Sequence, residues 1–144
     1  MASDIFDIKE LTEFEQNLID LAHKEMPIES IKFLRGEAKE LRKITKAKAK
    51  EKIKKKTGNL LKGIKYGRVY RFKDNNGLSI RVYGGKPAYH VHLLEYGHRQ
   101  VTKDGKEVGF VKGKHFFEEA ASKFESEHYN NVQKFIDELL DKGL

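Results

Sequence analysis

The sequence predicts an α+β fold in which a small antiparallel sheet of about four strands packs against a long basic N-terminal helix region and a C-terminal helix. Apolar residues recur at three- and four-residue spacing at both ends of the chain, as in amphipathic helices. Short alternating runs between them are typical of β-hairpins. At 144 residues we expect a single domain, 1–144. Its N-terminal helices span about 8–55, the sheet with a short helix about 60–111, and the C-terminal helix about 114–142.

Two helices are predicted in the N-terminal region. The first covers about 8–26, with Phe14 and Leu18 on its apolar face. Pro27 then breaks or restarts the helix, because proline is tolerated in a first turn but not in a helix interior. The second helix runs from about 28 to 55 and is rich in lysine, a good helix former. We expect Thr57-Gly58 to end it, with Gly58 in a left-handed capping conformation.

The middle of the chain predicts two hairpins. Residues 64–72 and 78–83 alternate in polarity around the turn residues 74–77, which gives the clearest hairpin. A smaller hairpin is expected around the loop 103–106. The last helix begins near Lys114 or His115, and it continues the apolar periodicity to the end of the chain.

Charge is distributed unevenly along the chain. The formal net charge is +7, yet residues 32–73 hold 17 Lys and Arg against three acids. The remainder of the chain is acidic, with 12 Lys and Arg against 19 Asp and Glu. Such polarity suits contact with a polyanion or with an acidic protein ring.

The basic region is the strongest chemical signal in the sequence. Tyr66, Tyr70 and Tyr83 lie close to it in the sequence and are able to stack on bases. The competing interpretation is a solvated helix face with core tyrosines. Because no sequence-reading motif is present, DNA contact would be to phosphates and salt-dependent. The candidate contact residues are Lys46, Lys48, Lys50, Lys52, Lys54, Lys55, Lys56, Arg68 and Arg71.

Histidines raise the question of a metal site. His90, His92, Glu95 and His98 lie close together in the sequence. On a strand, His90 and His92 would share a face and could chelate a metal, as some zinc sites require. On a helix, they would point in different directions. Since the chain has no cysteine and no other clustered ligand, we expect no metal and no cofactor.

Acid–base catalysis would need two groups placed across a substrate. Glu95 with His98, or Glu118 with His115, are the available pairs. Structural roles fit them better. Glu95 is expected to cap or pair locally with backbone, and Glu118 belongs to the first turn of the last helix, where the dipole favours carboxylates. We therefore expect no catalytic residues and no enzymatic activity.

Three short motifs occur in a fixed order. Thr57-Gly-Asn-Leu60 follows the basic helix, Tyr89-His-Val-His-Leu-Leu-Glu-Tyr-Gly97 follows the first hairpin, and His115-Phe-Phe-Glu-Glu-Ala120 opens the last helix. Over about residues 34–140 this order resembles the tailed-bacteriophage head–tail joining, or tail-completion, family. His98 stands where that family more often has threonine, and Gly113-Lys-His-Phe-Phe117 replaces its usual Pro-Ala or Pro-aromatic pair. The matching fold-signature positions are Thr57, Gly58, Asn59, Leu60, Tyr89, Leu94, Glu95, Tyr96 and Gly97.

The resemblance implies a non-enzymatic virion protein of the phage neck. Several copies would form a ring between the connector or stopper proteins and the tail terminator or tube, with a passing contact to genomic DNA. The protein would be made in the host cytoplasm, and we predict neither a signal peptide nor a membrane span. The alternative is a non-sequence-specific nucleic-acid-binding module that uses the basic region 39–73. The lysines of 46–56 and the loop 103–106 are the expected partner contacts.

Overall fold

The computed structural model describes residues 8–53, 58–71, 73 and 77–143. Its N-terminal half is helical, as predicted: α1 covers Ile8–Asp20, a π-helical turn covers Leu21–Glu25, and α2 covers Met26–Lys52. Pro27 lies in the first turn of α2, directly after the π-helical turn. The expected break is not seen there: Glu25 and Met26 keep right-handed helical dihedral angles and Met26 N donates to Leu21 O, so the chain stays helical into α2.

The end of α2 differs from the prediction. Ile53 has φ −107° and ψ 104°, an extended conformation that ends the helix there. Thr57 and the rest of 54–57 lie outside the described residues. Gly58 is the first residue of α3 (Gly58–Gly63), and it is not among the glycines with positive φ. The predicted left-handed cap at Gly58 is wrong, because the chain has already left the helix at Ile53.

The first hairpin forms two short ladders. Strands β1 (Ile64–Tyr66) and β4 (Val82–Gly84) pair antiparallel, as do β2 (Tyr70–Arg71) and β3 (Leu78–Ser79). A hydrogen bond from Gly67 N to Arg81 O, 2.9 Å long, joins the two strands between the ladders. The turn residues 74–76 lie outside the described part of the chain.

A short helix and a second hairpin follow. Helix α4 (Val91–Tyr96) leads directly into β5 (Gly97–Val101), which pairs antiparallel with β6 (Glu107–Lys112). The α+β class is confirmed, and both hairpins lie where the sequence predicts them. Among the described residues, however, strands pair only within their own hairpin, so the sheet consists of separate two-stranded ladders.

Helix α5 (Phe116–Gly143) packs along α2. The rings of Phe33 and Phe135 stack with centroids 4.5 Å apart. Nearby, Glu37 accepts hydrogen bonds from Asn131 and pairs with Nδ1 of His128 at 2.8 Å. These aromatic and polar contacts fix the alignment of the two long helices.

The buried core lies where α2, α3, the first hairpin and the start of α5 meet. Its buried members are Ala49, Leu60, Ile64, Ala88 and Phe116. None of the helices in the described part of the chain combines the length and the apolar character needed to cross a membrane. The apolar face predicted for α1 is more open than expected, since Phe14 is 49% exposed.

Candidate functional site

Glu95 connects α4 to the start of α5. Its side chain is 4% exposed, and its two carboxylate oxygens accept hydrogen bonds from the backbone N–H groups of Phe117 (2.9 Å) and Glu118 (3.0 Å). These N–H groups belong to the first turn of α5, where no intrahelical carbonyl is available to them. A negative charge there is also favoured by the helix dipole. Glu95 therefore caps a helix that begins 21 residues further along the chain.

Backbone hydrogen bonds strengthen the same junction. Lys114 N donates to Leu94 O at 2.7 Å, and His115 N donates to Glu95 O at 3.1 Å. Together with the Glu95 carboxylate, they fasten the last turn of α4 to the segment between β6 and α5. We call this arrangement, formed by 94–97 and 113–118, the α4–α5 junction.

Gly97 has a conformation that other residues adopt poorly. Its φ is +86°, and a Cβ at this position would lie 2.5 Å from Val111 O and 2.8 Å from Gly113 N. Both the dihedral angle and the close backbone approach require glycine. The structure therefore gives a physical reason for a glycine at the end of the Leu-Glu-Tyr-Gly element.

The other fold-signature positions divide into two groups. Leu60 is buried in the core, and Leu94 packs against it while remaining half-buried. Gly58, Asn59, Tyr89 and Tyr96 are exposed, with Tyr96 at 72%. The exposed tyrosines therefore contribute little to the buried core.

The histidine pair of the metal hypothesis is not brought together. His90 precedes α4 and His92 lies in its first turn, so the strand geometry that would align them is absent. Among the described residues, the one group that could offer three ligands is Glu95, His115 and Glu118, with ligand atoms within 4.8 Å of one another. Both Glu95 oxygens already accept backbone N–H groups, and His115 Nδ1 lies 3.1 Å from Glu118 Oε2. This hydrogen bonding assigns the group to helix capping.

Part of the lysine tract faces α5. Lys52 Nζ donates to Lys114 O at 2.8 Å and pairs closely with Glu119, while Lys48 lies 3.9 Å from the same carboxylate. The hydrogen bond from Lys52, aided by the nearby charges of Lys48 and Lys52, lowers the pKa of Glu119 below its usual 4.5. Lys50 is exposed and Lys46 half-buried, whereas Lys54, Lys55 and Lys56 lie outside the described residues.

The first hairpin carries a basic and aromatic depression. The guanidinium of Arg81 lies over the ring of Tyr83 at 5.2 Å, and on the same hairpin that of Arg42 from α2 lies over Tyr66 at 4.7 Å. The depression has a volume of about 480 Å³. It is lined by Gly67, Arg68, Tyr70, Arg81 and Tyr83, and it will be called the arginine–tyrosine depression.

An apolar groove of about 510 Å³ lies between α2, α5 and the first hairpin. The sequence does not reveal it, because a groove depends on side-chain sizes across three elements. Its charged members are Glu37 and Glu125, and among the described residues that line it none is Lys or Arg. The lining residues are Leu34, Glu37, Ala38, Leu41, Ser79, Ile80, Val82, Ala121, Ser122, Phe124, Glu125 and His128. We call it the α2–α5 groove.

These features describe a small α+β protein whose charged and apolar surfaces are open to other macromolecules. Residues 13–97, more than half of the chain, match the HK97-gp10-like family, described as "Bacteriophage HK97-gp10, putative tail-component". The chain belongs to this family of phage tail components. The resemblance drawn from the motifs is thereby confirmed, although the match ends at Gly97 and leaves the α5 motif outside. Comparisons with curated proteins and with solved structures gave no match.

Proposed function

We propose that this protein completes the phage tail at the head–tail junction, as a non-catalytic adaptor in the neck of the virion. Copies of the chain would form a ring between the connector or stopper and the tail terminator or tube. Membership in a family of tail components is the observation that carries the proposal. The Glu95 geometry supports it, because the most suggestive acid of the sequence is engaged in capping a helix.

The charge distribution suits assembly into a ring. Residues 116–143, which form α5, hold seven acids against three lysines, whereas residues 32–73 hold 17 Lys and Arg against three acids. Surface regions of opposite charge on one subunit favour association of identical copies and help to fix their register. Exposed pairs of this kind weaken as salt screens them.

The proposal is tested by deleting the gene from a phage or prophage that encodes this chain. We expect electron micrographs to show DNA-filled heads and complete tail tubes that remain separate, because only their connection is lost. Supplying the wild-type chain from a plasmid restores joined particles. Joined, infectious particles in the deletion strain would contradict the proposal. Heads without DNA would also contradict it, because they would place the defect before head–tail joining.

A second function is favoured by the arginine–tyrosine depression, which combines stacking rings with cations as single-stranded nucleic-acid sites do. Its occupant would be the phosphate backbone and bases of a nucleic acid, bound without sequence readout. Anisotropy of a labelled oligonucleotide measures this binding as salt is raised. Changing Arg68 and Arg81 to glutamine should weaken it at least tenfold and reduce the salt dependence.

The matched control removes the same charge elsewhere. Lys123→Gln with Lys134→Gln changes two exposed cations on α5, so it has the same effect on net charge. Equal weakening by both pairs would show that only overall charge matters, and would reject the depression as a site.

A further inference from the structure

The β5–β6 hairpin exposes large apolar side chains. Val108 and Phe110 lie two residues apart in β6, and each is 61% exposed. Val101 on β5 is exposed to a similar degree. In the described structure, β6 makes its main contacts with β5 alone. An exposed apolar strand of this kind is a typical contact site for another chain.

The hairpin is held firmly where it leaves the body. Gly97 starts β5 immediately after α4, and only residues 113–115 separate β6 from α5. The hydrogen bonds of the α4–α5 junction fix both of these connections. Because its base is fixed, the hairpin can be presented to a partner in one direction with little loss of entropy.

The α2–α5 groove has the complementary character. It is apolar along its floor, with Leu34, Leu41 and Phe124 among its lining residues. No residue of the hairpin's 97–112 segment lines it, so the hairpin does not fill the groove of its own chain. With a volume of about 510 Å³, the groove has room for large apolar side chains.

Charge favours a second copy of this chain as the occupant. The hairpin segment 97–112 carries four Lys and Arg against two acids. The exposed charged residue of the groove is Glu125, since Glu37 is already bound to His128 and Asn131 of its own chain. The described lining contains no Lys or Arg, and the groove lies against the acidic α5. A basic hairpin with apolar side chains therefore matches this apolar groove in both charge and polarity.

We propose that the β5–β6 hairpin of one copy docks in the α2–α5 groove of the next. This inference rests on the proposed ring and names the contact that builds it. Donor and acceptor are different surfaces of the same chain, so the contact is heterologous. Repetition closes a ring when the rotation between neighbours permits.

Disulfide cross-linking tests the contact directly, since the chain contains no cysteine. One variant carries Phe110→Cys on the hairpin, and the other carries Ser122→Cys at the exposed edge of the groove. The two variants are produced together in a phage lacking the gene, and purified particles are oxidised. We expect covalent dimers that contain one chain of each variant. The control combines Phe110→Cys with Lys134→Cys, an exposed residue of α5 outside the groove, and it should not cross-link.

The outcomes separate the two proposals. Particles that contain the chain but yield no mixed dimer would overturn the hairpin–groove contact and leave the neck function standing. Homodimers of the Phe110→Cys variant alone would also overturn it, because they indicate a symmetric hairpin–hairpin contact. Absence of the chain from joined particles would overturn both proposals together.

A charge exchange provides a second test of the same contact. Glu125→Lys in the groove and Lys103→Glu with Lys106→Glu in the hairpin loop should each lower the yield of joined particles at least tenfold. Combining all three changes restores opposite charges and should recover most of the yield. All three side chains are exposed, so the separate variants are expected to fold. Failure of the combination to recover particles would show that these charges do not meet.

Discussion

The α4–α5 junction and the β5–β6 hairpin are adjacent in the chain, but they differ in how much of their binding capacity is used within the chain. At the junction, Glu95 is buried and both its oxygens accept backbone N–H groups. In the hairpin, Val108 and Phe110 leave most of their surface open. The junction completes its interactions within the chain, and the hairpin leaves apolar surface available to another chain.

This difference indicates a division of labour. A loop that must meet a partner in one orientation needs a rigid support, and buried hydrogen bonds to a charged group supply rigidity. The hairpin itself needs exposed apolar surface for contact. Mutations at the junction should therefore reduce stability strongly, whereas mutations on the hairpin should affect assembly and leave stability almost unchanged.

The largest expected effect is that of Glu95→Ala. The change removes two charge-assisted hydrogen bonds and leaves N–H groups at the start of α5 without their acceptor. We expect a loss of about 2–3 kcal/mol in the free energy of unfolding, measured by urea denaturation. Glu95→Gln keeps an acceptor oxygen and should lose less.

Glu118→Ala is the matched control for Glu95. Glu118 lies in the first turn of α5, the turn that Glu95 caps, but its side chain is 70% exposed. We therefore expect Glu118→Ala to change the free energy of unfolding by no more than about 0.5 kcal/mol. Equal costs for the two alanine variants would remove the distinction between the junction and its exposed surroundings.

The next effect compares two glycines with similar dihedral angles. Gly97 has φ +86° with backbone atoms close by, and Gly105 in the hairpin turn has φ +81° with open space around it. Gly97→Ala combines conformational strain with steric overlap and should cost about 2 kcal/mol or more, whereas Gly105→Ala carries the strain alone and should cost about 1 kcal/mol. Thermal unfolding measures both. A larger loss at Gly105 would mean that the hairpin turn, rather than the junction, is the critical backbone site.

A smaller, pH-dependent effect is expected beside the junction at Glu119. Its pKa is lowered chiefly by the hydrogen bond from Lys52. A carboxyl with a depressed folded pKa stabilises the fold above its unfolded pKa of about 4.5, and this stability is lost as pH falls through the folded pKa. Melting temperatures between pH 7 and pH 3 should therefore fall further for the wild type than for Glu119→Gln. Parallel curves for the two proteins would show that the Lys52 pairing contributes no stability.

The sequence predicts the elements better than it predicts their connections. Helix α2 follows from periodicity, because its buried positions Ala38, Thr45 and Ala49 recur at helical spacing. Both hairpins follow from alternating polarity around turn residues. The end of α2 does not follow, since lysines favour helix equally on both sides of Ile53. Helix α1 forms as predicted, but its apolar face stays largely open, with Phe14 49% and Leu18 40% exposed.

The partners of Glu95 lie beyond local reasoning. A hydrogen bond to backbone was expected, but its donors are N–H groups of Phe117 and Glu118, more than 20 residues away. Every residue other than proline has such a donor, so side-chain identity gives no clue to which one is used. The α2–α5 groove is equally hard to predict, because it depends on how closely two helices that are far apart in the sequence pack together.

The smallest change in stability is expected for mutations on the hairpin. A small change there would show that its apolar side chains are not needed for the fold of their own chain. Val108→Thr and Phe110→Thr introduce threonine, a β-branched residue that suits a strand, and remove apolar surface that is already 61% exposed. Each should change the free energy of unfolding by about 0.5 kcal/mol or less. The variant that carries both changes should nevertheless yield at least tenfold fewer joined particles when it is supplied from a plasmid to the deletion strain. The reason is that these apolar side chains act between chains. A large loss of stability would instead place these side chains in the fold of their own chain, and the contrast between a closed junction and an open hairpin would no longer hold.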